Sequence, residues 1–309
     1  MSRYLAARVL QGIVTLLVLI TLVFILTRVI GDPVDLLLPD SATPEERDRM
    51  IHKLGLDRPF YVQYAEYIGG LLRGDVGDSL KFNRPVTELF LERFPNTVRL
   101  ALVTIFIAMV LGFTMGMLSA THRGSRLDTL FRALSVIGMS APSFWVGLML
   151  LLVFAVWLGI FPVAKAEGPA AYVLPAFTWS LFTLAGIARL VRSSMIEALD
   201  SEYVKLARIK GASPNRVVWK HCLRNALIPV VTFAGMQMAF LFAGSVVIES
   251  IFAWPGIGRL IYQGIIGRDY PLVQGCVLIV GFIIVTMSLA VDILYAYIDP
   301  RIRYAGGRR

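Results

Sequence analysis

Long apolar runs separated by polar stretches dominate the sequence. A helix needs about 20 consecutive, mostly apolar residues to cross the hydrocarbon core of a bilayer. Six windows have this length, at about 9–30, 98–120, 134–160, 172–192, 229–250 and 273–298. The pattern therefore predicts an all-α membrane protein with six transmembrane helices. Arg189 and Arg192 lie at the end of the fourth window, where we expect their long side chains to reach the membrane interface.

The composition agrees with a membrane location. Of the 309 residues, 57% are hydrophobic and only 17% are charged, whereas charged residues make up about a quarter of soluble domains. The formal net charge is +9, but the sequence shows no nucleic-acid-binding motif. We therefore expect lipid, not nucleic acid, around the chain, and we attribute the basic excess to membrane topology.

The cations between the apolar runs predict the orientation, because short cytoplasmic loops are enriched in Lys and Arg. The short outer loops would carry only Lys165, Arg259 and Arg268. With the N-terminus inside, the inner segments carry the cations of residues 200–229 together with Arg3, Arg8, Arg123, Arg126, Arg132, Arg301, Arg303, Arg308 and Arg309. Both termini and the 200–229 segment are therefore predicted to be cytoplasmic.

Three regions follow from this topology. Residues 1–30 form the first transmembrane helix, and residues 98–309 form a five-helix core that contains the cytoplasmic loop 200–229. Residues 31–97 form a small helical extracytosolic insertion between helices 1 and 2. Its predicted helices begin at a capping box, Thr43-Pro44-Glu45-Glu46, and at Pro59 and Pro85. Partner docking, covering of a pore mouth and structural capping all remain open as its role.

The polar segment 200–229 has the pattern of two helices joined by a glycine turn. Asp200 or Ser201 can cap the first helix, and Gly211 can end it in the left-handed conformation. Ser213 can then cap a second helix that has Pro214 at its first position. Two interpretations remain open: an amphipathic hairpin at the membrane interface, or a docking element for a groove on a cytosolic partner.

Polar and helix-breaking residues within the apolar runs are candidates for a translocation pathway. Pro142 should break or kink the third helix, and such breaks either line cavities or are satisfied by neighbouring helices. Gln237 either faces a pore or forms an interhelical hydrogen bond. The full candidate set is Ser140, Pro142, Ser143, Gln237, Ser245 and Glu249.

Signatures of catalysis are missing from the sequence. It contains no Walker A motif, no H-E-x-x-H and no G-x-S-x-G, so we expect no enzymatic activity, no metal and no cofactor bound by this chain. Cys222 lies in the polar segment and Cys276 in an apolar run, so we expect no disulfide. A coupled secondary carrier would place ionisable residues near the bilayer midplane, and here they lie near helix ends.

The spacing of Glu202, Ala207, Gly211 and Ile228-Pro229 resembles the cytoplasmic EAA loop of bacterial ABC importer permeases. Tyr203 and Val204 stand where that motif has alanines. The resemblance extends over the chain, to the dipeptide, oligopeptide and nickel branch of the family. The motifs that carry it are Gly31-Asp32-Pro33-Val34, Leu54-Gly55-Leu56-Asp57-Arg58-Pro59, Gly74-Asp75-Val76-Gly77-Asp78-Ser79, Phe94-Pro95-Asn96-Thr97, Glu249-x-x-Phe252-x-x-Pro255-Gly256-x-Gly258, Arg268-Asp269-Tyr270-Pro271 and Asp299-Pro300-Arg301.

The resemblance implies a type I ABC importer permease fold in the bacterial inner membrane. It also implies a second homologous permease subunit, two ATP-binding subunits that hold ATP and Mg, and an extracytosolic solute-binding protein. The loop would couple to the ATPases through Glu202, Tyr203, Ala207, Lys210, Gly211, Ala212, Ser213, Ile228 and Pro229. Peptides are the default substrate, with opines, glutathione-like peptides, sugars and nickel chelates open. The alternative function is a stand-alone secondary transporter or channel.

Overall fold

The computed structural model describes residues 2–30, 34, 38, 42–53, 55–163 and 168–298. In this part of the chain nearly all regular structure is helical. The helices are α1 (Ser2–Ile30), α2 (Pro44–Lys53), α3 (Phe60–Leu72), α4 (Val86–Thr121), α5 (Arg126–Ser140), α6 (Ser143–Leu150), α7 (Ala170–Leu199), α8 (Glu202–Ile209), α9 (Pro214–Arg216), α10 (Leu223–Ile251), α11 (Ile257–Ile266) and α12 (Tyr270–Ile298). Two π-helical segments, Leu151–Trp157 and Val217–Cys222, follow α6 and α9 directly.

Four helices among the described residues are long and apolar enough to cross a membrane. They comprise Ala6–Thr27 of α1, the whole of α4 and α7, and Tyr270–Val291 of α12. These correspond to the first, second, fourth and sixth predicted windows. The fifth window, 229–250, lies within α10, part of whose side chains fall outside the described residues. The count of six transmembrane helices stays a prediction.

The third predicted window, 134–160, is a broken pair of helices. Helix α5 ends at Ser140 and α6 begins at Ser143. The helical direction bends by 107° between α5 and the stretch Ser143–Trp157. The break occurs where the sequence predicts it, because Pro142 lacks an amide donor and restricts the residue before it. Ala141 accordingly has extended backbone angles, with φ −73° and ψ 130°.

In the segment 31–97, the predicted capping box at residues 43–46 forms, but the predicted helix after Pro85 extends beyond the segment. In the capping box, the Thr43 amide donates to the Glu46 carboxylate over 2.9 Å and the Glu46 amide donates to Thr43 Oγ1 over 3.3 Å. However, the helix that follows Pro85 is not separate. It continues through residue 97 as α4, because the polar residues there interrupt the apolar pattern without interrupting the helix. The boundary drawn at 97/98 therefore falls inside a helix.

The chain forms two compact units, of which the first comprises residues 1–95 and 256–309. Within it α1 packs along α12. The buried carboxylate of Asp269 fastens the loop that precedes α4, since it accepts hydrogen bonds from Ser79 Oγ (2.5 Å) and from the Lys81 amide (3.0 Å). It also accepts one from the amide of Leu272 in the first turn of α12 (3.2 Å). A single buried acid thus organises two segments distant in sequence.

The second unit comprises residues 96–255. Its core is the packing of α7 against α4, α5, α6 and α10. Gly112 and Gly116 permit the close approach of α4 to α7, as their small-xxx-small spacing predicts. A β-carbon at Gly112 would lie 2.7 Å from the Leu184 carbonyl oxygen, and one at Gly116 would lie 2.6 Å from that of Ala188.

We expect Gly116→Ala to destabilise this unit, because the added methyl group would have to push α4 away from α7. Overpacking of this kind costs about 1–3 kcal/mol, so the thermal unfolding midpoint of the purified protein in detergent should fall. Gly69→Ala is the matched control, since Gly69 lies in α3 with no atom within 4 Å of its virtual β-carbon. Equal midpoints for the two variants would contradict the close α4–α7 contact.

Candidate functional site

The polar segment 200–229 folds as a helix, a glycine turn and a second helix. Helix α8 ends at Ile209, and Gly211 has φ +82°, the left-handed conformation that glycine adopts without strain. Ser213 is extended and Pro214 occupies the first helical position, as predicted. The predicted side-chain caps do not form: Ser201 Oγ instead donates to the Ala198 carbonyl oxygen over 2.5 Å. The turn is thus set by backbone conformation.

Three buried side chains anchor this segment to the second unit. Val204 from α8, and Val217 and Cys222 from the π-helical segment, are almost fully buried in the main core of the unit. Their neighbours in that core include Met195 and Ala198 of α7. Burial raises the pKa of the Cys222 thiol, so this cysteine is an inert packing residue. The segment is therefore packed directly against the end of α7.

The opposite side of the segment is an open groove of about 410 Å³. Tyr203 and Leu206 line it and are 42% and 53% exposed. Cations surround these apolar side chains. The residues lining the groove are Tyr203, Leu206, Ala207, Lys210, Gly211, Ala212, Arg216, Lys220 and His221. The groove thus has an apolar surface with cationic side chains around it.

Five of the predicted coupling residues line this groove: Tyr203, Ala207, Lys210, Gly211 and Ala212. Glu202 and Ser213 are exposed, and Glu202 pairs with Lys205 at 2.7 Å. Ile209, at the end of α8, is 82% exposed. Pro229 does not begin the following helix, because the turns from Pro214 lead directly into α10, which contains Pro229. The side chain of Ile228 lies outside the described residues.

The predicted pathway residue Gln237 forms an interhelical hydrogen bond, as one of its two interpretations requires, and its role in a pore stays a prediction. Its Nε2 donates to Thr183 Oγ1 over 3.1 Å, which joins α10 to α7. The same pair lines an open groove of about 400 Å³. Aromatic and aliphatic side chains complete the lining, namely Trp179, Phe182 and Leu241. This groove offers hydrogen-bonding groups between apolar walls.

The other pathway candidates divide between exposed and buried positions. Ser140, Pro142 and Ser143 are exposed at the break between α5 and α6. Glu249 is fully buried and accepts a hydrogen bond from Thr97 Oγ1 over 2.7 Å, so in this conformation its contact is with α4. The side chain of Ser245 lies outside the described residues. A pathway role for these residues stays a prediction.

A buried ion pair, not identified from the sequence, lies close to the polar segment. Arg192 Nε and Nη2 donate to the two oxygens of Asp128 over 2.8 and 3.0 Å. Ser119 Oγ and the Gly124 amide also donate to Asp128, over 2.6 and 3.0 Å. Arg192 therefore reaches the first turn of α5, and its expected position at the membrane interface stays a prediction. Only the acidic first turn of α5, capped by Ser125, could have hinted at this site.

This chain resembles known transport proteins over nearly its whole length. The model described as "Binding-protein-dependent transport system inner membrane component" matches residues 108–304, and the corresponding N-terminal model matches residues 1–101. The oligopeptide transport system permease protein AppB of Bacillus subtilis is 38% identical, covering 98% of this chain and 100% of the relative. For the glutathione transport system permease protein GsiC of Salmonella typhimurium the identity is 40%, with the same coverage. The di/tripeptide transport system permease protein DppB of Pseudomonas aeruginosa is 39% identical, covering 92% of this chain and 93% of the relative.

Solved structures share the fold. The MetNI methionine ABC transporter in an inward-facing conformation matches with a TM-score of 0.58 and 22% identity, covering 69% of this chain and 97% of the other. An amino acid ABC transporter solved with histidines matches with a TM-score of 0.56 and 15% identity, covering 68% and 94%. The predicted fold class, an all-helical membrane protein of the type I ABC importer permease fold, is confirmed.

Asp128→Asn should strongly destabilise the second unit, because it leaves the Arg192 guanidinium without its counter-charge. Breaking a fully buried pair from one side costs about 3–5 kcal/mol, and because the Arg192 side chain is 24% exposed we expect a loss at the lower end of this range. Asp200→Asn is the matched control, since the Arg123–Asp200 pair is 62% and 67% exposed and such pairs contribute about 0–1 kcal/mol. Thermal unfolding of both variants in detergent measures the difference. A loss for Asp128→Asn no larger than that for Asp200→Asn would show that the buried pair contributes little.

Proposed function

Since this chain belongs to the family of binding-protein-dependent transport system inner membrane components, we propose that it forms half of the pathway of an ATP-driven importer. The family fixes the class of protein: a multi-pass permease subunit of the inner membrane that works with ATPase and substrate-binding components. This class replaces the alternative of a stand-alone secondary transporter or channel. The docking site, the subunit composition, the substrate and the orientation are proposed in addition.

The groove on the 200–229 segment is the proposed docking site for an ATP-binding subunit. The observation that carries this proposal is the division of the segment into two sides. Tyr203 and Leu206 are exposed among cations, while Val204 and Val217 are buried in the core. A partner that covers the groove would bury the exposed apolar side chains and meet the cations with acidic groups. Force applied by that partner would then reach α7 and α10 directly.

The anchored segment gives a route from nucleotide turnover to the pathway. Closure of the ATP-binding subunits would displace the segment together with the inner ends of α7 and α10. The same two helices carry Thr183 and Gln237, so their displacement would change the groove between those residues. Only contacts that differ between the two conformations can shift the balance between them. The break at Pro142 would provide a second point of bending.

The proposed assembly contains two different permease subunits, two ATP-binding subunits and one extracytosolic solute-binding protein. ATP and Mg would be bound by the ATP-binding subunits, and this chain would bind no cofactor and catalyse no reaction. Binding-protein dependence is the property after which the family is described. The absence of a Walker A motif from the sequence supports the assignment of nucleotide to the partners.

Di- and oligopeptides are the proposed substrates. Relatives that align over nearly their whole length are named for oligopeptides, di/tripeptides and glutathione, which are all peptides. The groove chemistry supports this class, because the Gln237 amide and Thr183 hydroxyl can hydrogen-bond with peptide groups between the walls formed by Trp179 and Phe182. Opines, sugars and nickel chelates are the competing substrates in an uptake assay with the partner solute-binding protein.

The proposed orientation places both termini and the 200–229 segment in the cytoplasm. It predicts that Asn215→Cys in intact spheroplasts resists a membrane-impermeant maleimide until the membrane is opened, whereas Tyr61→Cys is labelled at once. Both positions are exposed. The native cysteines Cys222 and Cys276 are buried and should give a low background. Immediate labelling of Asn215→Cys would reverse the proposed topology.

Gly211→Trp should abolish both copurification of the ATP-binding subunits and ATP-driven uptake of a labelled dipeptide. A side chain at φ +82° is strained, and a bulky one would also project into the groove. The matched control is Gly74→Trp, because Gly74 also has φ +82° and open space around its virtual β-carbon, but it belongs to the outer segment.

The copurification measurement separates docking from folding. Gly211→Trp should be inserted at wild-type levels and should lose the ATP-binding subunits, while Gly74→Trp should retain them. Normal copurification and uptake by Gly211→Trp would refute the docking assignment.

A further inference from the structure

A second cationic cavity lies away from the docking groove, within the second unit. It is enclosed by α4, α5 and α7 and has a volume of about 260 Å³. Three arginines line it: Arg132 from α5, and Arg189 and Arg192 from α7. None of its lining residues belongs to the groove around Gln237 or to the groove on the 200–229 segment. Neither the proposed pathway nor the proposed docking of an ATP-binding subunit therefore uses this cavity.

The three arginines are not equivalent. Arg192 is neutralised by the buried carboxylate of Asp128, with two hydrogen bonds of 2.8 and 3.0 Å. Arg132 and Arg189 are exposed, and neither makes a hydrogen bond or ion pair with any residue that the structure describes. The cavity therefore carries two uncompensated positive charges. Cations near the membrane are stabilised by an anionic partner, so the cavity is suited to an anion.

The rest of the wall indicates which kind of anion fits. Met115, Phe131, Val136 and Met139 form an apolar surface beside the guanidinium groups. The hydroxyl groups of Ser135 and Ser193 also line the cavity. A free inorganic anion or a soluble carboxylate would leave this apolar surface in water. An amphiphile with an anionic head and an acyl chain would pair with the guanidinium groups and cover the apolar wall.

The depth of the cavity agrees with a lipid headgroup. Arg189 and Ser193 lie 11 and 7 residues before Asp200 at the end of α7, which places them about 10–16 Å from that end at about 1.5 Å per helical residue. Arg132 lies in the second turn of α5, whose first turn holds Asp128 against Arg192. On the proposed orientation, the cavity faces the cytoplasmic leaflet close to its headgroup layer.

We propose that this cavity binds the phosphate of an anionic phospholipid, such as phosphatidylglycerol, between Arg132 and Arg189. Basic pockets between transmembrane helices on the cytoplasmic side are suited to such headgroups. The acyl chain would run along Val136 and Met139. Because Arg192 is held by Asp128, a bound lipid would also brace α5 against α7 beside the polar segment. The proposal goes beyond the transport function and concerns the membrane that supports it.

Native mass spectrometry of the full-length chain, purified with its partner subunits, tests this site. Phosphatidylglycerol should be retained in preference to phosphatidylcholine, and glycerol 3-phosphate should neither bind nor displace the lipid. Arg132→Gln and Arg189→Gln should each weaken phosphatidylglycerol binding about fivefold, the effect of one cation near an anionic headgroup. Arg132→Lys should retain binding because it keeps the charge.

Arg126→Gln is the matched control, because Arg126 lies on the same helix, is exposed and does not line the cavity. It should leave lipid binding unchanged, and thermal midpoints would show that all variants are folded. Equal retention of phosphatidylcholine, or unchanged lipid binding by both glutamine variants, would overturn the proposal. So would weakened dipeptide binding by the variants with lipid binding unchanged, since the cavity would then bind a transported carboxylate. Lipid binding is measured without transport, so its failure is distinguishable from failure of the proposed function.

Discussion

The pair between Arg192 and the buried Asp128 is the interaction on which the contact of α5 with α7 depends. Four hydrogen bonds converge on the Asp128 carboxylate, and they come from the end of α4, the turn that follows it and α7. In an apolar surrounding neither charge is stable alone. The pair therefore fixes α5 and the preceding turn against α7, and the exposed Arg123–Asp200 pair continues this contact to the start of the polar segment.

In the proposed function, the polar segment transmits force because it packs against the end of α7. A segment attached only by flexible connections would absorb the displacement of its partner. Here Val204, Val217 and Cys222 share one core with Met195 and Ala198 of α7. The apolar residues of the segment consequently serve two purposes, since those on one side pack inward and Tyr203 and Leu206 remain exposed for a partner. The alternation of apolar and polar residues in the sequence does not show which apolar side chains are buried and which are exposed.

Local features of the fold could be predicted from the sequence, whereas features that depend on distant partners could not. The Thr43–Glu46 capping box, the left-handed Gly211 and the break at Pro142 each follow from backbone chemistry within a few residues. The partner of Arg192 lies 64 positions away, and no periodicity indicates it. Five of the predicted coupling residues line one groove, and their coupling role stays a prediction. Pro229 lies inside α10, because the π-helical segment continues without interruption into that helix.

The excess of cations in the segments predicted to be cytoplasmic has more than a topological meaning once their partners are known. Orientation requires only that Lys and Arg lie on the cytoplasmic side, and it is indifferent to what they contact. Within the second unit, Arg192 is neutralised by a buried acid, while Lys210 and Arg216 surround the exposed apolar groove. Arg132 and Arg189 face a cavity with an apolar wall. One bias in the sequence thus includes a cation held by a buried acid, cations at the edge of the proposed docking groove and cations in the proposed lipid site, and these are distinguished by what lies opposite each charge.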